Sequence, residues 1–400
     1  MRKIVVLGGG LYNRKIFEKL RDENFFTICV DRNIDAPSKN LSNQFFPIDI
    51  VDKEKILVLC RDHSVDGIMA INDIGTRTAS YVSLKLGLPG LPMATVIAAN
   101  DKSLMREVWE NSRVAQPRYH VFSRLDDAYS LAKEIGFPCI MKPAESGGGG
   151  RGVSVLKGLS DVEWAYDFAS PHVRTQKFII EEYLDGTELT VETFSIDNCV
   201  HILAMSDKYK PELRTRVATS LNYPALLPIQ TIENVSKIVT EAVQALGIRN
   251  GLAHTEVIIT KEGPMLVELG ARGGGGHIFH TIIEAVSGFN APVETAKFLT
   301  GLHVEPPKIL KRGAVYRFFN PPQGVLQKVL IPRNIMATPG VLDFGIVKKE
   351  GEIVGDLKNS LERAGYVVTA GKTREDAIKV ADSVEKMIKF VVTPTSSTNL

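Results

Sequence analysis

An α/β domain with a parallel sheet, followed by mixed α+β domains, is implied by three features of this 400-residue chain. The length is more than one compact core usually holds and suggests two or three domains. Short apolar runs alternate with amphipathic helical patterns over roughly the first hundred residues, as strands separated by crossover helices do. After that the register changes to strand pairs joined by short turns, as in antiparallel hairpins. The composition is that of a soluble globular protein, 44% hydrophobic and 24% charged, with a formal net charge of +2. So small a charge gives no ground for a nucleic-acid or membrane-surface partner. No apolar run is long enough to span a bilayer.

KIVVL at 3–7 reads as a buried strand and LYNRKIFEKLRD as the helix after it. FFTICVD is a second strand ending at Asp31, and GIMAIND at 67–73 another ending at Asp73. Open parallel sheets present ligand groups at strand ends, so Asp73 is a substrate-site candidate. This Rossmann-like domain is assigned residues 1–100. Residues 101–115 read as helix, 117–122 as extended, and 124–136 as helix closed by Gly136. FPCIMKP and GVSVL are strands on either side of four glycines. SDVEWAYDFAS is a helix capped by Ser160 or Asp161. KFIIEEYL and ELTVETFSI are strands separated by an Asp-Gly turn, and VHILAMSD continues that sheet. Residues 232–247 form an amphipathic helix, and AHTEVIIT pairs with PMLVELG across KEG.

HVEPP at 303–307 reads as a boundary, which places one domain at 101–303 and a small α+β domain at 304–392. The latter holds GAVYRFF, GVLDFGIVKKEGEIVG, GYVVTAG and the helix TREDAIKVADSVEKMIKF, opened by Thr373 with Asp376. The polar tail 393–400 is expected to be disordered. Cys29, Cys60, Cys139 and Cys199 stand singly in apolar surroundings, without a CxxC pair. They read as buried free thiols of a reducing compartment. MRKIVVLGGG passes straight into a strand and lacks the marks of a signal peptide, so the expected location is the cytoplasm.

Three glycine clusters bear on chemistry. LGGGLYN at 7–13 follows a strand and opens a helix, with Asp31 ending the next strand, the setting of a dinucleotide fingerprint. Asn13 stands where GxGxxG needs glycine, so a tight turn without a cofactor is the plainer reading. MKPAESGGGGRG at 141–152 is not a Walker A loop, because Lys142 precedes the glycines and a strand follows them. Read alone it is either a hairpin tip that folds over phosphates or a loop with no ligand. ELGARGGGGHIFH at 268–280 follows a strand ending in Glu268, carries Arg272 and passes into a helix. Its glycines permit close approach to an anion near a helix N-terminus.

An ATP-using ligase needs cations for the phosphates, carboxylates for Mg²⁺, and an arginine where charge develops. Lys102 opens a helix, Lys142 ends a strand, Glu256 and Glu268 lie on adjacent strands of a hairpin, and Arg272 follows. A lone lysine is usually solvated and a strand glutamate usually exposed. However, AHTEVII and LVEL are otherwise apolar, so at least one glutamate should be buried and require a partner.

NDKSLMR, FPCIMKPAESGGGGRGVSV, FIIEEYLDGTELTVETF, AHTEVIIT and PMLVELGARGGGG, in that order, resemble the ATP-grasp superfamily over nearly the whole chain. The carboxylate–amine ligases are most similar, the L-amino acid ligases among them. Phosphoribosylglycinamide synthetases and formyltransferases and biotin carboxylase share the layout. The resemblance implies an ATP-grasp domain at 101–303 with a lid at about 117–180, preceded by the Rossmann-like domain. It implies ATP and Mg²⁺, with Mn²⁺ as a substitute. Lys102 and Lys142 would contact phosphates, and Ser146, Gly147, Gly148, Gly149, Gly150, Arg151 and Gly152 would form the flap. Glu181, Glu182, Tyr183 and Leu184 would be the hinge at the adenine, Glu188 would take the ribose hydroxyls, and Lys208 in SDKYK would lie near the nucleotide. Glu256 and Glu268 would hold the metal, and Arg272 would face the reacting carboxylate, making Arg272 and Lys142 the catalytic pair. Relatives commonly carry asparagine two residues after the second metal glutamate, where this chain has Gly270; a water could fill that position.

Further substrate-site candidates are Gly274, His277, Arg214 and Arg216 in ELRTRVATSLNYP, and Arg317 beside Tyr316 and Phe318. Solvated loop charge is the plainer reading of Arg214 and Arg216. His277 and His280 are spaced to share a helix face, but zinc needs three or four protein ligands, which favours a structural or substrate-lining role. The resulting expectation is an enzyme that joins a small carboxylate to an amine, with a homodimer left open. A phosphoribosyl-substrate ligase of purine synthesis is the alternative, and a nucleotide-binding module with a degenerate site is a third reading. No segment resembles a biotin acceptor, which disfavours a carboxylase.

Overall fold

A computed structural model describes residues 1–145, 147, 149–210, 217–357 and 359–394. Two compact units are formed. Unit one gathers Met1–Gln116, Thr190–Met205 and Leu227–Leu310; unit two gathers Pro117–Leu189, Ser206–Leu226 and the chain from Lys311 onward.

In unit one, β1 (Lys3–Leu7), β2 (Phe26–Val30), β3 (Gln44–Phe46) and β4 (Gly67–Ala70) form a parallel sheet ordered β3-β2-β1-β4. Ile4 to Leu7 and Ile28 to Val30 are fully buried, which suits β-branched runs covered on both faces. The covering helices are α1 (Arg14–Asp22), α2 (Lys53–Asp62) and α3 (Asp73–Leu86). Val5, Leu7, Ile28, Val30, Ile56, Ile68 and Val82 share one core cluster. The strand expected to reach Asp73 ends at Ala70. Asn72 accepts a hydrogen bond from the Gly75 amide at 2.9 Å, which starts α3 and makes Asp73 its first residue. The glycine turn after β1 is occupied by its own neighbours. Asp31 accepts the Gly9 amide at 2.8 Å and the Asn33 amide at 2.9 Å, so the carboxylate a dinucleotide ribose would use is taken up by the turn. Helices α4 (Met93–Asn100) and α5 (Lys102–Asn111) follow.

Unit two begins with β5 (Tyr119–Phe122), α6 (Leu125–Ile135), β6 (Cys139–Pro143), β7 (Ser154–Leu156), α7 (Val162–Ala169) and β8 (Phe178–Glu182). The sheet order is β5-β8-β6-β7, all neighbours antiparallel, with Phe122, Met141, Leu156, Phe178 and Ile180 in its core. Asp161 does cap α7 by position, although without a side-chain hydrogen bond to it.

β9 (Thr187–Ile196) and β10 (Cys199–Tyr209) contribute residues to both units. The Asp185–Gly186 turn does not make a hairpin of β8 and β9. β8 already has β5 and β6 on its two edges, so the chain leaves for another sheet. Unit one continues with α8 (Ile229–Ala245), β12 (Gly251–Thr260) and β13 (Gly263–Gly270), then a π-helical turn at Ile278–Ile282, α9 (Ile283–Ser287) and α10 (Ala291–Leu299). Its ladder runs β13-β12-β9-β10.

In unit two, β11 (Ser220–Tyr223), β14 (Gly313–Phe319), β16 (Val341–Ile346) and β18 (Gly365–Gly371) extend from β10 in the order β10-β11-β14-β18-β16. Helix α11 (Arg374–Met387) opens with Thr373 and Asp376 in a reciprocal capping box and buries Ala377, Ala381 and Val384 against Val315, Phe319 and Val367. β15 (Gly324–Leu330), β17 (Ile353–Val354) and β19 (Lys389–Thr393) form a small antiparallel sheet. The last helix was expected to run through Phe390. It stops at Met387, and Phe390 instead packs on that core from β19. The strand also takes Thr393 out of the expected tail, while 395–400 lie outside the described residues.

Three cysteines match expectation. Burial pushes the Cys29 and Cys60 thiols up to about 12, helped at Cys29 by Asp31, and Cys139 to about 11. Cys199 does not: it is exposed, because Asp197 and Asn198 turn the chain with positive φ just before β10. Among the described residues, no helix is long and apolar enough to cross a membrane.

Candidate functional site

In unit one the site is built from two helix starts and a hairpin. Asp101 caps α5 through its Oδ1, which accepts the Ser103 and Leu104 amides at 2.8 and 3.4 Å and leaves Lys102 as the first helical residue. Arg106, fully buried one turn later, donates from Nη2 to the Val267 carbonyl at 2.7 Å and ties α5 to β13. Lys102 Nζ then lies 3.0 Å from Glu268 Oε1.

Glu256 and Glu268 face each other directly across the β12–β13 ladder, as do His254 and Gly270. The register shifts just past Glu256, leaving Val267 as the extra residue of a bulge beside the pair. Like charges directly opposite repel. Lys102 offsets that repulsion on Glu268, and His254 Nε2 lies 3.9 Å from Glu256 Oε1. The other ring nitrogen of His254, Nδ1, pairs with Glu192. Glu192 is completely buried on β9 and also accepts the Gly274 amide at 3.0 Å. Neither Glu192 nor His254 was singled out from the sequence. The available signal was a polar residue inside each apolar run, ELTVETF and AHTEVII, on strands about to be buried.

Arg272 lies just beyond β13. Its Nη2 donates to Asp73 Oδ2 at 2.7 Å and its Nη1 to the Gly273 carbonyl at 2.9 Å. Burial alone would raise the Asp73 pKa, but the Arg272 charge and hydrogen bond, with Lys102 and His254, hold it below the ordinary carboxylate range. Burial alone would lower the Arg272 pKa, but Asp73, Glu268 and Glu192 more than offset that and raise it. The same pair explains Gly270. A Cβ there would stand 3.2 Å from Arg272 Cζ and 3.3 Å from Asp73 Oδ1, so the guanidinium and its carboxylate occupy the room a larger side chain would need.

Two adjacent carboxylates beside a lysine are a donor set that suits Mg²⁺, which commonly binds through one or two carboxylates plus substrate phosphates. Among the described residues no group of three or more His, Cys, Asp or Glu is placed to hold a metal. The fit is therefore to a hard cation completed by phosphate and water, not to a closed protein cage.

In unit two, Lys142 at the end of β6 forms a buried ion pair with Glu181 of β8, Nζ to Oε2 at 2.6 Å. Glu188 is buried and receives Lys208 at 2.8 Å and Lys210 at 2.5 Å on its two oxygens. Glu182 accepts from Arg118 at 3.3 Å, Leu184 is buried and Tyr183 half-buried. The glycine run joins the paired strands β6 and β7, as expected. Gly147, Gly149, Gly150 and Gly152 all have φ between +71° and +77°, a turn that side chains would strain. Arg151 Nη2 closes it on the Gly147 carbonyl at 2.7 Å. Ser146, Gly148, Arg214 and Arg216 lie outside the described residues.

His277 and His280 are buried, and the His277 ring meets Tyr12 and His280 edge-on at 5.4 and 5.1 Å. Arg317 on β14 is engaged by Asp382 and Glu385 of α11.

Residues 135–280 match the family description of the ATP-grasp domain, and residues 317–393 match that of the L-amino acid ligase C-terminal domain 2. A formate-dependent phosphoribosylglycinamide formyltransferase of Wolinella succinogenes is 24% identical over 97% of this chain and 96% of its own length. Among solved structures, an L-amino acid ligase of Bacillus licheniformis superposes with a TM-score of 0.84 at 21% identity, over 98% of this chain and 99% of the other. A phosphoribosylglycinamide synthetase of Anaerococcus prevotii gives 0.77 at 18%, over 98% and 100%.

Proposed function

The chain carries an ATP-grasp domain, and from that premise we propose that it is an ATP-dependent ligase that activates a small carboxylate and joins it to an amine. The observation that carries the reading is the unit-one cluster: two apposed glutamates, a lysine at a capped helix start on one of them, and a half-buried arginine four residues beyond. ATP with Mg²⁺ would supply the phosphoryl group and the positive charge that its transfer needs. Glu256 and Glu268 would hold the metal. Lys142, Lys208 and the glycine turn, with Glu181, Glu182, Tyr183, Leu184 and Glu188, would hold the nucleotide.

In the reaction a carboxylate oxygen attacks the γ-phosphorus and ADP leaves. The amine nitrogen then attacks the acyl carbon, phosphate leaves, and the amine proton passes to solvent. Arg272 would bind the carboxylate first and the oxyanion on that carbon afterwards, already aligned by Asp73. Glu192 would keep the Gly274 amide and His254 in place behind it. The L-amino acid ligase match at 317–393 favours a carboxylate–amine ligase. The similarity of the formyltransferase along nearly the whole chain keeps a phosphoribosyl amine as the second reading. A screen of ADP release over amino acids, formate, bicarbonate and phosphoribosyl amines decides. ADP release that needs both an amino acid carboxylate and an amine supports the first reading, and release that needs a phosphoribosyl amine replaces it.

A further inference from the structure

Unit one contains a cavity of about 70 Å³ that runs away from Arg272. Arg272, paired with Asp73 at the start of α3, lies with Thr76 at one end, and Ser83 with Gly90 packed against it at the other. Thr76 and Ser83 both border it two turns apart on α3, so it extends about 10 Å along that helix. Between the ends the walls are aliphatic and aromatic, with Ile68, Ala79, Val96, Leu252 and Phe298.

Two of the four hydroxyls on this wall are spent on the protein itself, while Ser83 Oγ and Thr295 Oγ1 are buried without a hydrogen-bond partner. Thr76 Oγ1 donates to the Asp73 carbonyl at 2.6 Å and Ser80 Oγ to the Leu91 carbonyl at 2.7 Å. The Ser83 and Thr295 hydroxyls stand among walls that are otherwise mainly aliphatic and aromatic, and a buried water needs about two to four polar partners, so most of the space takes an apolar group. The mouth at Arg272 has the opposite character. A guanidinium has five N–H donors, and the Asp73 and Gly273 contacts leave some of them for an anion.

We propose that this cavity is the side-chain pocket of the carboxylate substrate, which is a short aliphatic acid with its carboxylate at Arg272. An engineered cavity of about 150 Å³ accepts benzene. A space of 70 Å³ therefore suits about three or four carbons beyond the carboxyl group, straight or branched. The assignment rests on the ligase reading above and names its substrate class.

The test is chain-length selectivity. Acetate, propionate, butyrate, pentanoate and hexanoate, each also as its 2-amino acid, are compared in ADP release by the wild-type chain, Ala79→Leu and Phe298→Leu. Ala79→Leu shortens the pocket with a good helix former, and Phe298→Leu enlarges it. One methylene in an apolar pocket changes kcat/KM about tenfold or more. The expected result is that the pentanoate-to-acetate ratio of kcat/KM falls at least about tenfold in Ala79→Leu and rises in Phe298→Leu. An unchanged ratio in both variants overturns the inference. If no carboxylate supports ADP release, the ligase reading fails, and the pocket is judged by binding alone. The same acids are then followed by their stabilisation of the folded protein against heat. A preference for four- and five-carbon acids that Ala79→Leu abolishes upholds the pocket, and binding independent of chain length overturns it.

Discussion

Arg272 and Lys142, the proposed catalytic pair, are held in different ways. Arg272 is held among Asp73, Glu268 and Glu192, so its charge is permanent and its direction fixed by the Asp73 bond. Arg272→Ala is expected to lower kcat/KM for the carboxylate about 10²–10³-fold while the KM for ATP changes only a few-fold, as for loss of an oxyanion donor. Equal losses in both would assign the side chain to nucleotide binding. The Asp73 carboxyl is depressed, so its stabilising effect is complete above the unfolded value of about 3.9 and is lost as pH falls through the lower folded value. Asp73→Asn should therefore melt below wild type at neutral pH, with the gap closing below about pH 4. Lys142 is different, since removing one partner of a buried pair strands the other charge. Lys142→Met alone should destabilise unit two by about 3–5 kcal/mol in denaturant unfolding, and Glu181→Gln in the same chain should restore most of that without restoring ADP release.

The elements carry the lesson about what a sequence reveals. The β6–β7 hairpin was legible because its strands are apolar and its turn is four glycines. The β12–β13 hairpin was legible too, but the register set by its short turn would put Glu256 opposite Val267, and only the bulge there brings it opposite Glu268. β8 and β9 misled because an Asp-Gly turn announces a reversal but not which strand lies alongside. KMIKF continues the helical period into β19, and only Phe390 in the core tells otherwise. Glu192 and His254 were missed because their partners come from strands far apart in sequence. Two substitutions separate backbone strain from contact in the glycine turn. Gly150→Ala meets nothing within 4 Å and should cost about 1–2 kcal/mol from its positive φ. Gly152→Ala adds contacts at 3.0 Å with Ala169 Cα and Pro143 Cγ, so its loss of melting temperature should be larger. Equal losses would mean that the turn relaxes as a whole.

At the scale of the molecule, the paired glutamates and Arg272 belong to one folded unit, and Lys142 and the glycine turn belong to the other. Glu268→Gln should abolish ADP release by the full chain while leaving its unfolding midpoint within a small margin, because the side chain is partly exposed. Retained turnover would remove the metal assignment. The cysteines offer a way to watch such a protein at work. With three thiols shielded and only Cys199 at the surface, a thiol-directed fluorophore should attach once per chain under native conditions and at all four positions after denaturation. The protein thus provides its own single labelling point, at the start of β10, a strand that both units share, and optical recording of its conformational cycle requires no engineered cysteine.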